Sequence, residues 1–447
     1  MSSYLRVLRY PDFRYLFLGQ SASAVGDRVV VVALALFVVQ SSGSPGDLGL
    51  VLACQSLPLV ALLLLGGVWA DRLPRQRIMI GTDLLRAALH TVLAALILAG
   101  SARIWQLCAL EAMFGAAQAF FQPAYSGLLP QTVPEELVQD ARALTESAAN
   151  LAFLLGPALA TALVLGVGAG EAFAFDAATF IVSALLLARV RPRARGAVQR
   201  QASMAHELRV GWREVRSRPW VWVTIAAFSG TLLCVFAQWY ALAPALARSL
   251  YGSAGIFGVL EAIAGAGAVA GALIALRWRP RHQLWTGLSL ILVWPVESAV
   301  FAFHAPLAVV ACLSFAAGIA FSMFLVWWET ALVQHIPASA LSRVSAYDWM
   351  GSLALLPLGY ALSGTFAGAL GARTTLEVGA AIGVLLMALA LTPRSTRELT
   401  TPKRPPAGPP QAGPALAEDD PAAPAQDGAG VLADSPGAMG SALYPGR

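Results

Sequence analysis

Gly66-Gly67-Val68-Trp69-Ala70-Asp71-Arg72-Leu73-Pro74-Arg75-Gln76-Arg77 lies between two long apolar runs, 48–70 and 78–99. Each run is long enough to cross a bilayer as a helix. An acid and three arginines therefore sit on a tight turn at a membrane surface, between two spanning helices. That reading fixes the class of fold as an all-α membrane protein.

The rest of the chain agrees. It is 57% hydrophobic and only 12% charged, where soluble domains carry about a quarter charged residues. Apolar runs of spanning length recur from the first residues to about residue 392, more than a soluble helical protein could hide. Cys54, Cys108, Cys234 and Cys312 each fall inside an apolar run and read as small core residues, not as a disulfide set or metal site. The five histidines are scattered, no metal is expected, and the net charge of +5 is not read as nucleic-acid binding. Arg6, Arg9 and Arg14 lead into the first apolar run, which is too long for the core of a cleavable signal peptide.

Twelve spans are predicted, at about 15–40, 48–70, 78–99, 104–121, 144–167, 171–189, 220–247, 254–277, 283–303, 306–331, 345–370 and 374–392. With the N-terminus inside, 25 of the 30 Arg and Lys residues fall in cytoplasmic segments, so both termini are expected in the cytoplasm. Residues 1–190 form a first bundle of six spans, 191–219 a cytoplasmic linker and 220–392 a second bundle. The segment 206–215 mixes apolar and charged residues at helical spacing and is expected along the inner membrane face. The tail, 393–447, is rich in Pro, Ala and Gly and reads as disordered. One lysine against 29 arginines suggests a bacterial source.

The halves repeat. Leu129-Pro130-Gln131-Thr132-Val133-Pro134 precedes span 5, and Leu332-Val333-Gln334-His335-Ile336-Pro337 precedes span 11, 203 residues later. The same offset carries Gly156 onto Gly359, while Arg72 and Arg277, each just after the second span of its half, lie 205 apart. Parallel six-helix repeats about an axis normal to the membrane are a transporter architecture.

The turn between spans 2 and 3 resembles the signature of the major facilitator superfamily, Gly-x-x-x-Asp-Arg-x-Gly-Arg-Arg/Lys. Gly67, Asp71, Arg72 and Arg75 match in register; Pro74 and Gln76 depart from it. Pro11-Asp12-Phe13-Arg14, Gly26-Asp27, Asp83-Leu84-Leu85-Arg86, Gly156-Pro157, Phe175-Asp176 with Phe180, and Pro357-Leu358-Gly359 are similar to the drug-efflux and siderophore-export branch, which includes the enterobactin exporter and macrolide-efflux-like proteins. The resemblance implies a twelve-helix transporter of a small molecule in a bacterial inner membrane, a monomer without cofactor. It also implies that Asp71 docks on the positive N-terminal end of span 11, with Arg72 and Arg75 completing a latch that opens in one conformation. Asp83 and Arg86, three apart on span 3, can pair; they read as a structural pair or as joined to that group. Gly156 and Pro157 form half of the helix-5 antiporter motif, since Ala160-Thr161 replaces its closing glycines.

Charges within spans carry the mechanism, because an ionised side chain at mid-bilayer costs about 2.5–3.5 kcal/mol to insert. Asp27 is the first candidate for proton coupling, with an ion pair to another helix as the alternative. Adjacent Arg28 points about 100° away on a helix and cannot share its face. Glu111 stands where many proton-coupled relatives carry Arg; it takes a proton, a cationic substrate or a structural role. Glu261 is a weaker candidate, and Glu297 and Glu329 are expected near water at helix ends. Gln20, Gln118, Phe121, Gln238, Trp239, Tyr240, Trp327 and Trp328 lie on the spans that line the cavity in the family and are expected to contact a lipophilic solute. The expected activity is proton-driven export of a drug, macrolide or siderophore-like product by alternating access; lipid or lysolipid translocation is the alternative, and a non-transporting sensor a distant third. No nucleophile–base pair, metal set or phosphate loop marks an enzyme.

Overall fold

The computed structural model describes residues 3–42, 45–193 and 204–400. The first half holds α1 (Pro11–Ser42), α2 (Pro45–Arg72), α3 (Arg75–Leu98), α4 (Ile104–Leu128), α5 (Val138–Gly166) and α6 (Ala169–Leu187). A short helix, α7 (Met204–Arg216), leads to the second half, in which three spans are interrupted. Span 7 consists of α8 (Pro219–Thr231), a π turn at Leu232–Phe236 and α9 (Ala237–Tyr251). Span 8 is α10 (Gly255–Arg277), span 9 is α11 (Gln283–Leu290) with α12 (Val293–Ala302), and span 10 is α13 (Leu307–His335). Span 11 is α14 (Ala338–Leu353) with α15 (Leu356–Leu370), and span 12 is α16 (Ala372–Ala390). Eleven of the twelve are long and apolar enough to cross a membrane; α5 is apolar over Leu155–Gly166.

Two of the interruptions follow from proline. Pro295 cannot donate to the carbonyl four residues back, and span 9 breaks at 291–292; Pro357 does the same to span 11, which breaks at 354–355. The predicted segment 206–215 lies within α7, which packs on α14 and α8, with the Trp212 and Tyr347 rings 5.8 Å apart.

The pairing of helices repeats between halves. In the first half α2 packs on α4, α1 on α5 and α3 on α6; in the second α10 packs on α13, α9 on α15 and α12 on α16. Glycines make the closest of these contacts. A Cβ at Gly115 (α4) would stand 1.9 Å from the carbonyl oxygen of Gln55, and one at Gly318 (α13) 1.9 Å from that of Ala264. These glycines are 203 residues apart. Gly156 lies against Arg28 of α1 and Gly359 against Ala237 and Leu233 of span 7, which is again one contact made twice.

The halves meet through α2 with α15 and α5 with α10. The tight contacts lie at the side of the bundle away from the N-terminus. A Cβ at Gly49 would reach 1.8 Å from Ser363 Oγ, one at Gly364 2.9 Å from the Gly46 Cα, and one at Gly258 2.4 Å from Thr161 Oγ1. Arg248 Nη1 donates to the Val39 carbonyl at 3.3 Å on the same side. A core of small and aliphatic residues from both halves, including Val38, Leu48, Ala160, Ala243 and Phe257, seals it.

Candidate functional site

A cavity of about 90 Å³ lies between the halves near the middle of the spans. The first half contributes Arg28, Val31 and Val32 of α1 and Pro157 of α5. The second contributes an aromatic wall, with Phe236, Trp239 and Tyr240 from span 7, Trp294 from span 9 and Phe321 from span 10. The π turn, which inserts one residue into the helical repeat, ends at Phe236. Phe236, Trp239 and Tyr240 then follow at helical spacing on one face, with Phe236 and Tyr240 rings 4.4 Å apart. The floor is made of small residues, Ala264, Gly265, Ala268, Ala317 and Gly318, where α10 and α13 approach backbone to backbone.

Two carboxylates stand in this wall, Glu261 of α10 and Glu297 of α12. Trp239 Nε1–H donates to one oxygen of Glu261 at 2.8 Å and the Tyr240 hydroxyl to the other at 2.6 Å. The Ser314 hydroxyl donates to Glu297 Oε1. Both acids are thus held in fixed orientations beside rings, an arrangement suited to an aromatic or alkyl cation. The volume is below the roughly 300–1,000 Å³ of a drug-sized pocket, so it can take one ring or one amine of a larger solute.

A second polar centre lies inside the first half. Asp83, Arg86 and His90 occupy one face of α3, and all three are buried, as are Glu111 of α4 and Asp176 of α6. Arg86 pairs with Asp83 and stacks over the rings of Phe121 and Phe180 at 4.2 and 4.3 Å. His90 Nδ1 bonds Asp176 Oδ2, and Gln55 Nε2 donates to Glu111 Oε2 at 2.8 Å. Asp27 is within electrostatic reach of Asp176, Arg86 and His90. The structure therefore brings Asp27, Asp83, Arg86 and Glu111 into one group, away from the cavity lining.

The residues expected in the cavity separate. Trp239 and Tyr240 line it. Gln20 donates to Ser183 at 2.9 Å between α1 and α6, Gln118 is half-buried on α4, and Phe121 lies under Arg86. Gln238 is buried and donates to the Gly359 carbonyl at 3.0 Å. Trp327 is buried against Trp278, and Trp328 donates to Asp348 at 2.9 Å. Trp327 and Trp328 face about 100° apart on α13, and both directions lead to partners outside the cavity lining.

At the turn, Arg72 is exposed at the end of α2. Arg75 Nη1 donates to the Gly127 carbonyl at 3.0 Å, and Gln76 Nε2 to the carbonyls of Leu187 and Val190 at 2.7 Å each. These residues satisfy carbonyls at the C-terminal ends of α4 and α6, which lack partners inside their own helices. The surroundings of Gly67 and Asp71 lie outside the described residues.

Glu261 and Glu297 stand closer to the cavity than their places in the sequence suggest, and His90 is a member of the polar centre that charge along the sequence does not mark. Glu297 was expected near water; it is buried, because the proline break in span 9 sets α12 inward beside α13. The spacing of Asp83, Arg86 and His90, at i, i+3 and i+7 on a span, was the signal that could have found His90.

Residues 16–354 match the sequence profile described as the Major Facilitator Superfamily. The chain is 25% identical to the multidrug efflux pump Tap of Mycolicibacterium fortuitum over 412 residues, 89% of this chain and 99% of that protein. It is 25% identical to macrolide efflux protein A of Streptococcus pyogenes over 179 residues, 40% of this chain and 44% of that protein. The chain thus spans less than half the length of some curated relatives it matches. Among solved structures, a bacterial homologue of the human lysosomal transporter Spinster, inward-facing and unoccupied, superposes with a TM-score of 0.65 at 16% identity, covering 90% of this chain and all of that one.

Proposed function

We propose, for a chain that belongs to the major facilitator superfamily and groups with its drug-efflux branch, that it exports a lipophilic, amine-bearing small molecule across the bacterial inner membrane in exchange for protons. The observation that carries this reading is the cavity between the halves, with its aromatic wall and its two fixed carboxylates. A substrate bound there is reached from either side when the halves rock about it. The distribution of Arg supports cytoplasmic termini, and with that orientation the tight glycine contacts close the outer side, a state open toward the cytoplasm. Asp27 and Glu111 are the acids through which protons drive the return, and Arg28, next to Asp27, faces the substrate.

The turn residues fit a latch role in this cycle. Arg72, Arg75 and Asp71 are at the cytoplasmic side, Asp83 and Arg86 deeper on the same helix, and Gly156-Pro157 lets α5 pass close to α1 at the cavity. The chain divides for rocking at 1–190 and 220–392, with 191–219 as the tether.

The test is accumulation of a panel of lipophilic cations and macrolides in a bacterial host lacking its own pumps, with wild type and Asp27→Asn at equal membrane abundance. Lower accumulation with wild type, restored by a protonophore and by Asp27→Asn, supports proton-driven export. Unchanged accumulation of every compound with wild type counts against it.

A further inference from the structure

The four acids gathered in the first half, Asp27, Asp83, Glu111 and Asp176, outnumber the bases that face them. Arg86 pairs with Asp83, His90 stands between Asp176 and Glu111, and Asp27 lies within reach of Arg86, Arg28 and His90, so four carboxyls face three bases. Rings close the site to water, since His90 stacks parallel to Phe114 at 4.4 Å and meets Phe173 edge-on at 5.3 Å. Uncompensated charge in such a place is costly, so the group is electrically tolerable only with protons bound to it.

One gap in this group has the form that a further proton would close. His90 Nδ1 is engaged with Asp176 Oδ2. On the other side of the ring, Nε2 stands 3.8 Å from Glu111 Oε1, and neither atom has a hydrogen-bond partner. With Nδ1–H donating to Asp176, Nε2 presents a lone pair to a carboxylate oxygen, and two acceptors hold each other apart. One proton placed between them converts the gap into an N–H···O contact; its loss reopens the gap.

The same group touches the helix that lines the cavity. Gly26 of α1 lies directly on Asp176, since a Cβ there would stand 2.1 Å from its Oδ1 and 2.4 Å from Thr179 Oγ1. Two residues further, Arg28 is in the cavity wall. Between them Asp27 is within electrostatic reach of both Asp176 and Arg28. A change in the charge of this group is therefore delivered to α1 by direct contact.

We propose that His90, clasped between Asp176 and Glu111, is the seat of the coupling proton, which moves between the His90 Nε2–Glu111 Oε1 gap and water as the halves rock, and that α1 passes its arrival to the substrate cavity. This rests on the proton-driven reading above and adds a residue and a place to it. The site is a proton site apart from the cavity, so coupling and substrate contact are separable by mutation.

The experiment uses the purified full chain in liposomes with ethidium as probe, in two modes: accumulation driven by an imposed pH gradient, acid inside, and exchange of ethidium with no gradient. His90→Gln is expected to lose at least ten-fold in driven accumulation while exchange continues. Glu111→Gln, which preserves the shape of the carboxyl, is measured beside it, because either buried change can impair folding. Driven accumulation within two-fold of wild type by either folded variant overturns the proposal, and so does loss of driven accumulation and exchange together in both folded variants. If wild type exchanges ethidium but ignores the gradient, the proton-driven reading itself fails and the proposal falls with it. A wild type driven by the gradient beside equally driven variants leaves that reading standing and removes only His90.

Discussion

Gly115 and Gly318 sit 203 residues apart and serve the same contact, yet the residues four positions before them do different things. Glu111 faces His90 in a sealed network inside the first half, whereas Ser314 donates to Glu297, which stands in the wall of the central cavity. The positions that let two backbones touch are the same in both halves, and the polar positions beside them are not. A helix pair at backbone contact tolerates only glycine, because any Cβ would overlap a carbonyl on the neighbour. Polar side chains are bound by no such limit; they need only partners, and each half supplies different ones. The first half encloses its charges among Phe114, Phe173 and Phe180. The second presents its acids to the space where a solute would bind.

The strongest way to break this comparison is to attack both glycines. Gly115→Val and Gly318→Val should each abolish folded protein in the membrane, because a side chain there must displace a backbone carbonyl and overpacking costs about 1–3 kcal/mol or more. Gly81→Val, where nothing lies within 4 Å, serves as the control. Detergent size-exclusion profiles at equal expression read the outcome; survival of one glycine variant but not the other would undo the claimed equivalence.

Next in size is the division between acids. Glu261→Gln should cut ethidium exchange at least ten-fold in the absence of any pH gradient, since it removes the charge that Trp239 and Tyr240 orient. His90→Gln should not do so under the same conditions. Equal loss from both would mean that the two centres act as one site.

Tyr240→Phe is smaller. It removes one of the two hydrogen bonds to Glu261 and keeps the ring, so a loss of about 1 kcal/mol, or roughly five-fold in KM, is expected. Trp327→Phe marks the lower limit. Its ring is buried against Trp278 and away from the cavity lining, so ethidium KM should stay within two-fold of wild type. A large shift in KM would return Trp327 to the substrate path.

Much of the architecture was legible along the chain. The runs of apolar residues place most span ends within a few residues, because the bilayer thickness sets their length; the end of span 4 and the starts of spans 5 and 11 lie six or seven residues beyond the predicted bounds, where the helices continue past the apolar run. The offset that links 129–134 to 332–337 also predicts which helices are equivalent, and it extends to Gly115 and Gly318. Pro295 and Pro357 mark the breaks in spans 9 and 11, since each removes a donor from a known carbonyl. The π turn at Leu232–Phe236 has no comparable signal, for no residue type requires it; it comes from packing.

The site was legible only in parts. Asp27, Asp83, Arg86 and Glu111 stand out because charge within a span is expensive, and Trp239 and Tyr240 because they lie on a span that was expected to face the cavity. The sequence alone determined which groups had to find partners. Only the tertiary structure decided the partners, because a helix face is set by packing and side chains from α1, α3, α4 and α6 meet across separations of up to 163 residues. It is this convergence that places His90 between Asp176 and Glu111, and it is the π turn and the proline break that turn Tyr240 and Glu297 toward the cavity.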